Sequence, residues 1–182
     1  MNPDRAVALN PPLATDRLTL EPLIAAHADV LVPALRDRAI YTWISTPPPG
    51  SVDYMRKRWA HFETRLGPGG DVAWLNWAVR VRASGDYVGK IDVEVNAGNV
   101  ATNVGYMFFP AFWGKGYASE AVNAVVEHLV REGVTELRAT VTVGNVASAR
   151  VLEKAGFVHT RILPHNDTIR GVSCDDMEYV RA

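Results

Sequence analysis

Gly114, Lys115 and Gly116 stand between an apolar run, Val104 to Phe109, and a stretch of helical periodicity that begins near Tyr117. Glycines remove side chains where a backbone can approach a ligand, and the first N–H groups of a following helix have no partner inside it. A turn of that composition suits an anion, phosphate above all, and Lys115 adds a positive charge. The same residues also fit a plain flexible connection. Two common nucleotide readings fail. A Walker A loop needs Ser or Thr after its lysine, and here Gly116 follows Lys115. A dinucleotide fingerprint needs a third glycine or alanine at its fixed place inside a parallel βαβ repeat, and neither is present.

Hydroxyl and carboxylate chemistry lies elsewhere. The run NVASARVLEKAGF, Asn145 to Phe157, reads as a helix capped by Asn145 and ended at Gly156, with Lys154 near the negative end of its dipole. Ser148, Val151, Leu152 and Ala155 share one face, so the hydroxyl of Ser148 turns inward with the apolar stripe. That position suits a packing serine bonded to a backbone carbonyl as well as a reactive one. Candidate bases are Asp92 and Glu94 on the polar face of an expected hairpin, where solvated side chains are the commoner outcome, and Asp167 and His165 in a polar stretch near the end. Cys174, the one cysteine, has no internal disulfide partner. Without a His cluster or a paired His it reads as a buried structural thiol, and no metal signature is present.

These groups need elements to position them. The 182 residues, 48% hydrophobic, suffice for one domain with a sizeable core. Residues 1 to 14 read as an irregular tail. Arg17 to Leu23 alternates as a half-buried strand, Ile24 to Ile44 turns helical with an interruption at Pro33, and Ser51 to Leu66 forms a helix after a proline-rich break. Tyr41, Trp43, Trp59 and Phe62 fall in this region, as core or as pocket lining. Leu75 to Val81 and Tyr87 to Val95 alternate around Ser84-Gly85-Asp86 as an antiparallel hairpin. Val104 to Phe109, apolar on both faces, reads as a central strand. Ala118, Ala121, Val122, Val125 and Leu129 form the buried stripe of a helix stopped at Gly133. Leu137 to Val143 is a further strand, and Phe157 to Leu163 and Ser173 to Val180 close the sheet around a polar loop, Pro164 to Gly171. Lys and Arg total 19 against 20 acids, a net charge of −1, which gives no basis for wholesale binding to nucleic acid or an anionic membrane. The start lacks the apolar core of a signal peptide, and no segment approaches the ~18 apolar residues of a membrane span, so a cytoplasmic location is expected.

The motif WGKGYASEA resembles the pyrophosphate-binding motif of the GNAT superfamily of N-acetyltransferases, written Q/R-x-x-G-x-G/A, and in this form is similar to the RimJ/RimL-type branch, which acetylates protein N-termini. Trp113 stands where Gln or Arg is common. The Asn145 to Phe157 helix resembles the second motif of the same branch, and TDRLTLEPL its opening strand, with Glu21 where Arg is frequent. The resemblance extends in weaker form from about Thr15 to Tyr179, nearly the whole chain.

This resemblance implies an α/β (α+β) GNAT fold: a mixed, mostly antiparallel central sheet of about seven strands with helices on both faces, in one domain over 1–182. It implies that two central strands part to admit the pantetheine arm of acetyl-CoA. Met107, Phe108 and Phe109 would pair with the arm, Gly114, Lys115, Gly116, Tyr117 and Ala118 would hold the pyrophosphate, and Asn145 would contact the arm. The implied reaction is direct attack of a neutral amine on the thioester. Many relatives use a tyrosine seven residues after the helix-starting asparagine as proton donor, which is Leu152 here; the RimJ/RimL-type pattern places a serine three residues after it, Ser148. For the base, the resemblance points to Asp167, ahead of Glu94 and His165, while Asn103 stands where many relatives have glutamate. The implied acceptor is a protein or peptide N-terminal amine, of a ribosomal or other protein, with a small-molecule amine such as an antibiotic or polyamine as the alternative. A homodimer is the family expectation. A non-catalytic acyl-CoA-binding module is a competing reading, motivated by Leu152 and Asn103.

Overall fold

The computed structural model describes residues 1–182. Its elements, in chain order, are α1 (Pro3–Ala8), β1 (Leu13–Ala14), β2 (Leu18–Pro22), α2 (Ala28–Leu35), α3 (Val52–Phe62), β3 (Val72–Val81), β4 (Tyr87–Asn96), β5 (Val100–Phe108), α4 (Tyr117–Arg131), β6 (Glu136–Thr142), α5 (Val146–Lys154), β7 (Val158–Ile169) and β8 (Val172–Arg181). The strands form one eight-stranded sheet in the order β1-β2-β3-β4-β5-β6-β8-β7. Every neighbouring pair is antiparallel except β5 and β6, which run parallel. No helix is long and apolar enough to cross a membrane.

The two sheet faces carry separate cores. On one face the fully buried stripe of α4, Ala121, Val122, Val125, Val126 and Leu129, packs with Leu152 of α5 and with Leu75, Trp77 and Ile91 of β3 and β4. On the other, α2 and α3 bury Leu31, Val32, Leu35 and Trp59 against Leu23, Ala78 and Phe109. The opposed burial shows along β5 and the residue that follows it, where Val104 and Phe108 join the first core and Phe109, just past the strand's end, joins the second.

Four expectations need correction. The first 14 residues are no irregular tail: α1 is capped by the Asn2 side chain, Ala6 and Leu9 are fully buried, and Leu13–Ala14 adds the eighth strand. Short runs rich in proline hide such docking, because burial of two or three residues has no periodicity to detect. Pro33 does not interrupt its helix, which runs on to Leu35 because burial of Leu31, Val32 and Leu35 outweighs one missing backbone bond. The helix expected from Ser51 to Leu66 ends at Phe62, with Ser51 as its cap. The polar stretch Pro164 to Gly171 is mostly strand, the turn being confined to Arg170 and Gly171 with φ of 52° and 81°. Ladder irregularities after His159 and Leu163 break the period-2 pattern that would have revealed it.

Candidate active site

The sheet splits at its centre. β5 and β6 share only two register pairs, Val100↔Glu136 and Ala101↔Leu137, and then part. From Thr102 onward β5 is held only by β4, and β6 only by β8. Phe109 N donates to Val88 O at 2.9 Å, and the β4–β5 register is unbroken from Gly89 to Glu94. Backbone groups alternate along an antiparallel ladder, so those of Met107 and Phe109 face β4 while those of Tyr106 and Phe108 face the cleft. One of the cleft-facing carbonyls already has a donor: Trp113 Nε1 reaches Phe108 O at 2.7 Å, although its ring is half exposed. The indole that replaces the motif's Gln or Arg has thus folded back onto β5.

At the open end of the cleft, Gly114 and Gly116 adopt φ of 75° and 79°, which a Cβ would strain. Gly116 precedes the first turn of α4 without any side-chain cap, and the first N–H to find a partner is that of Glu120, on Gly116 O at 3.1 Å. The N–H groups of residues 114 to 119 therefore have no acceptor in the chain. A row of free donors at the positive end of a 15-residue helix is the donor set that a pyrophosphate requires, and Lys115 lies beside it with its ammonium 5.0 Å from the Phe112 ring centre. The chain's own groups fit an extended ligand with a diphosphate.

On the α4–α5 side of the cleft, Tyr106 Oη lies 2.8 Å from Ser148 Oγ and 3.0 Å from Ser148 O. Burial pushes the Tyr106 phenol up to about 12, against a smaller opposing effect of Ser148. Asn145 accepts from Ser148 N at 3.2 Å, capping α5. Leu152 is buried in the core.

On the opposite face the β4–β5 register pairs Glu94 with Asn103 and Asp92 with Gly105. Lys90 donates to Asp92. Gly105 has the side-chain-free surface this arrangement needs, since a Cβ there would lie 2.6 Å from Asp92 Oδ2. Burial, with the Asp92 charge beside it, raises the Glu94 carboxyl above the usual range.

Asp167 and His165 sit on the β7–β8 hairpin. Asp167 pairs with Cys174 and accepts from Thr168 N at 2.7 Å; His165 N donates to Asp175 at 2.8 Å and its ring meets Ser173 Oγ at 3.0 Å. No hydrogen bond joins either to Tyr106, Ser148 or Glu94. The hairpin instead closes on the segment after α2, where Arg170 donates to the carbonyls of Tyr41 and Thr42. Between them lies a cavity of about 630 Å³ lined by Trp43, Thr142, His165, Arg170, Ser173 and Asp175, among others. Of the four early aromatics, Trp59 and Tyr41 are core, Phe62 packs edge-on against Trp74, and Trp43 lines this cavity. Cys174 is half-buried at the cavity wall rather than buried.

Reading the sequence alone does not single out Tyr106, which lies inside the run Val104 to Phe109 that reads as a central strand. The available signal was a single phenol in an otherwise apolar central strand, because a Tyr hydroxyl placed inside needs a partner. It also missed Arg17, whose contacts are far away along the chain.

A sheet parted at its centre, with a row of free N–H donors at the mouth of the split, is shaped for an extended anionic ligand. Residues 17–158 match the family model described as an acetyltransferase (GNAT) domain. The chain belongs to the GNAT acetyltransferase family and uses acetyl-CoA as its acetyl donor. It is 28% identical over 156 residues to the uncharacterized protein YkkB of Bacillus subtilis (strain 168), covering 83% of this chain and 87% of that one. Its fold is similar to that of RimL, a ribosomal L7/L12 α-N-protein acetyltransferase in complex with coenzyme A (TM-score 0.82, 19% identity, 93% of this chain and 96% of that one). It is also similar to that of spermidine N-acetyltransferase from Vibrio cholerae in complex with CoA and spermine (TM-score 0.77, 18% identity, 92% and 96%).

Proposed function

We propose that this N-acetyltransferase acts on a protein or peptide N-terminal α-amino group. The observation that carries the acceptor class is the cavity beside Trp43. It runs along a strand hairpin, is half apolar, and sets Arg170 against Asp175, so it lacks the excess of negative charge that would hold a polyamine.

Acetyl-CoA, when bound, supplies an activated acetyl group on a thiol leaving group. The chain's residues do the rest. The free N–H groups of Gly114 to Ala118 hold the diphosphate, and the cleft edge of β5 at Tyr106 and Phe108 aligns the arm, with Asn145 at the facing helix start. Glu94 serves as base, directly or through water, because its raised carboxyl is closer to the working pH than an ordinary one. Asp167 is the second candidate for that role. Ser148 donates to the sulfur as charge develops there, and Tyr106 turns to donate to Ser148 Oγ in compensation.

Thiol release from acetyl-CoA, measured over a panel of free and N-terminally blocked peptides, spermidine and an aminoglycoside, tests this. Turnover with free peptides that disappears on blocking supports the proposal. Turnover with spermidine alone overturns it in favour of the polyamine reading.

A further inference from the structure

Arg17 stands just before β2, yet its whole side chain is spent on the turn that precedes α4. Nη1 donates to Lys115 O at 3.0 Å and Nε to Glu120 Oε2 at 2.6 Å, while Nη2 forms a 2.6 Å ion pair with the same carboxylate. The guanidinium carbon is 4.8 Å from the Tyr117 ring centre, and Nη2 lies 3.4 Å from the point where a Cβ on Gly116 would be. The backbone joins in: Arg17 N donates to Glu120 Oε1 at 3.1 Å, and Thr15 Oγ1 donates to the same oxygen at 2.5 Å. Hydrogen bonds from Thr15 and Arg17 outweigh burial and hold the Glu120 carboxyl below its usual range, so the pair is ionised at neutral pH.

A planar fork that grips a backbone carbonyl, a carboxylate and a ring face fixes geometry more than it supplies charge, since Glu120 neutralises it. A peptide plane has two ends. Holding Lys115 O on Arg17 turns the N–H of Gly116, on the other end of that plane, away from Arg17. Two left-handed glycines make this turn pliable, and nothing else in the chain bonds to Lys115 O.

We propose that Arg17, locked by Glu120, is a positioning residue for the diphosphate of acetyl-CoA, a strut that sets the orientation of the Lys115–Gly116 peptide. It rests on the reading that residues 114 to 118 hold the diphosphate. The strut ties the first edge of the sheet to the cofactor turn.

Calorimetric binding of CoA, and ligand-observed NMR of pantetheine, which lacks the diphosphate, test this on the full chain. Arg17→Gln is expected to weaken CoA about tenfold or more and to leave pantetheine within about twofold, a pattern that general unfolding cannot produce. The sign at Glu120 separates strut from charge. If Arg17 merely attracted phosphate, Glu120→Gln would free its charge and tighten CoA; as a strut it must weaken CoA. Arg17→Lys, with charge but no fork, should behave like Arg17→Gln. Unchanged or tighter CoA binding in Glu120→Gln, or full affinity in Arg17→Lys, overturns the proposal. So does equal loss of pantetheine. Gly116→Asp separates the two levels: if it binds CoA normally the cradle reading fails, whereas if it alone loses CoA only the strut fails.

Discussion

Tyr106 Oη and Ser148 Oγ are 2.8 Å apart across the split in the sheet, one on β5 and the other in the first turn of α5. β5 and β6 no longer pair at this level, so these hydroxyls are a hydrogen-bonded link across the cleft. The Tyr106 phenol, pushed up to about 12, keeps its proton throughout the range in which the protein works.

Ser148→Ala should lower kcat by about 10²-fold, and Tyr106→Phe by about tenfold, with CoA affinity little changed in either. Stopped assays of thiol release with parallel calorimetry check this. Because Tyr106 titrates so high, neither substitution should alter the basic side of the pH–rate profile below about pH 10. A basic limb that vanishes in Tyr106→Phe would remove the phenol from the role given to it.

Glu94 must be ionised to act as a base, and burial with Asp92 nearby raises its carboxyl above the usual value. Activity should therefore fall as pH drops through that raised value, at a higher pH than an ordinary carboxylate would give. Glu94→Gln should flatten this acid limb and lower kcat by ~10²-fold, whereas Asp167→Asn should preserve the limb. The reverse result would place the base on the β7–β8 hairpin.

Two strand glycines should separate stability from activity. A Cβ on Gly89 would sit 2.3 Å from Met107 O, a backbone atom that cannot swing away. Gly89→Ala should cost ~3 kcal/mol or more in urea unfolding. At Gly105 the obstacle is the mobile end of Asp92, so Gly105→Ala should cost about 1 kcal/mol or less while displacing that carboxylate and lowering turnover several-fold. Equal losses of stability at both positions would refute this contrast.

Deleting residues 1–12 should destabilise the protein by ~3 kcal/mol or more, measured by urea unfolding. It uncovers the core beneath Ala6 and Leu9, removes the Pro11 carbonyl that accepts from Trp77 Nε1 at 2.9 Å, and leaves Glu132 without Arg5. A truncated chain of full stability would restore the idea of a passive tail.

What could be read from residues alone follows the range of each interaction. The α4 stripe, the β3–β4 hairpin and the Asn145 cap are decided by neighbours within a few residues, and all appear where periodicity puts them. The Arg17–Lys115 bond, the docking of α1 and the closure of Arg170 onto Tyr41 and Thr42 join distant parts of the chain, and no local pattern encodes them. Glu21 shows the difference well. As a strand residue it is ordinary, but folding surrounds it with Arg80, Tyr87 and His27, whose hydrogen bonds outweigh burial and lower its carboxyl. The case for Glu94 as base is hidden from the sequence for the same reason, since its desolvation exists only once the sheet has formed.

The two-residue pairing of β5 with β6 gives this sheet an edge in its own interior. Outer edges invite strands from any other chain, and proteins must guard them against aggregation. This inner one is guarded by its surroundings: with β6 on the far side and packed helices above, a folded partner is too thick to enter. Only something as slender as a single extended chain can complete the ladder, so the gap in the sheet acts as a sieve for its own ligand.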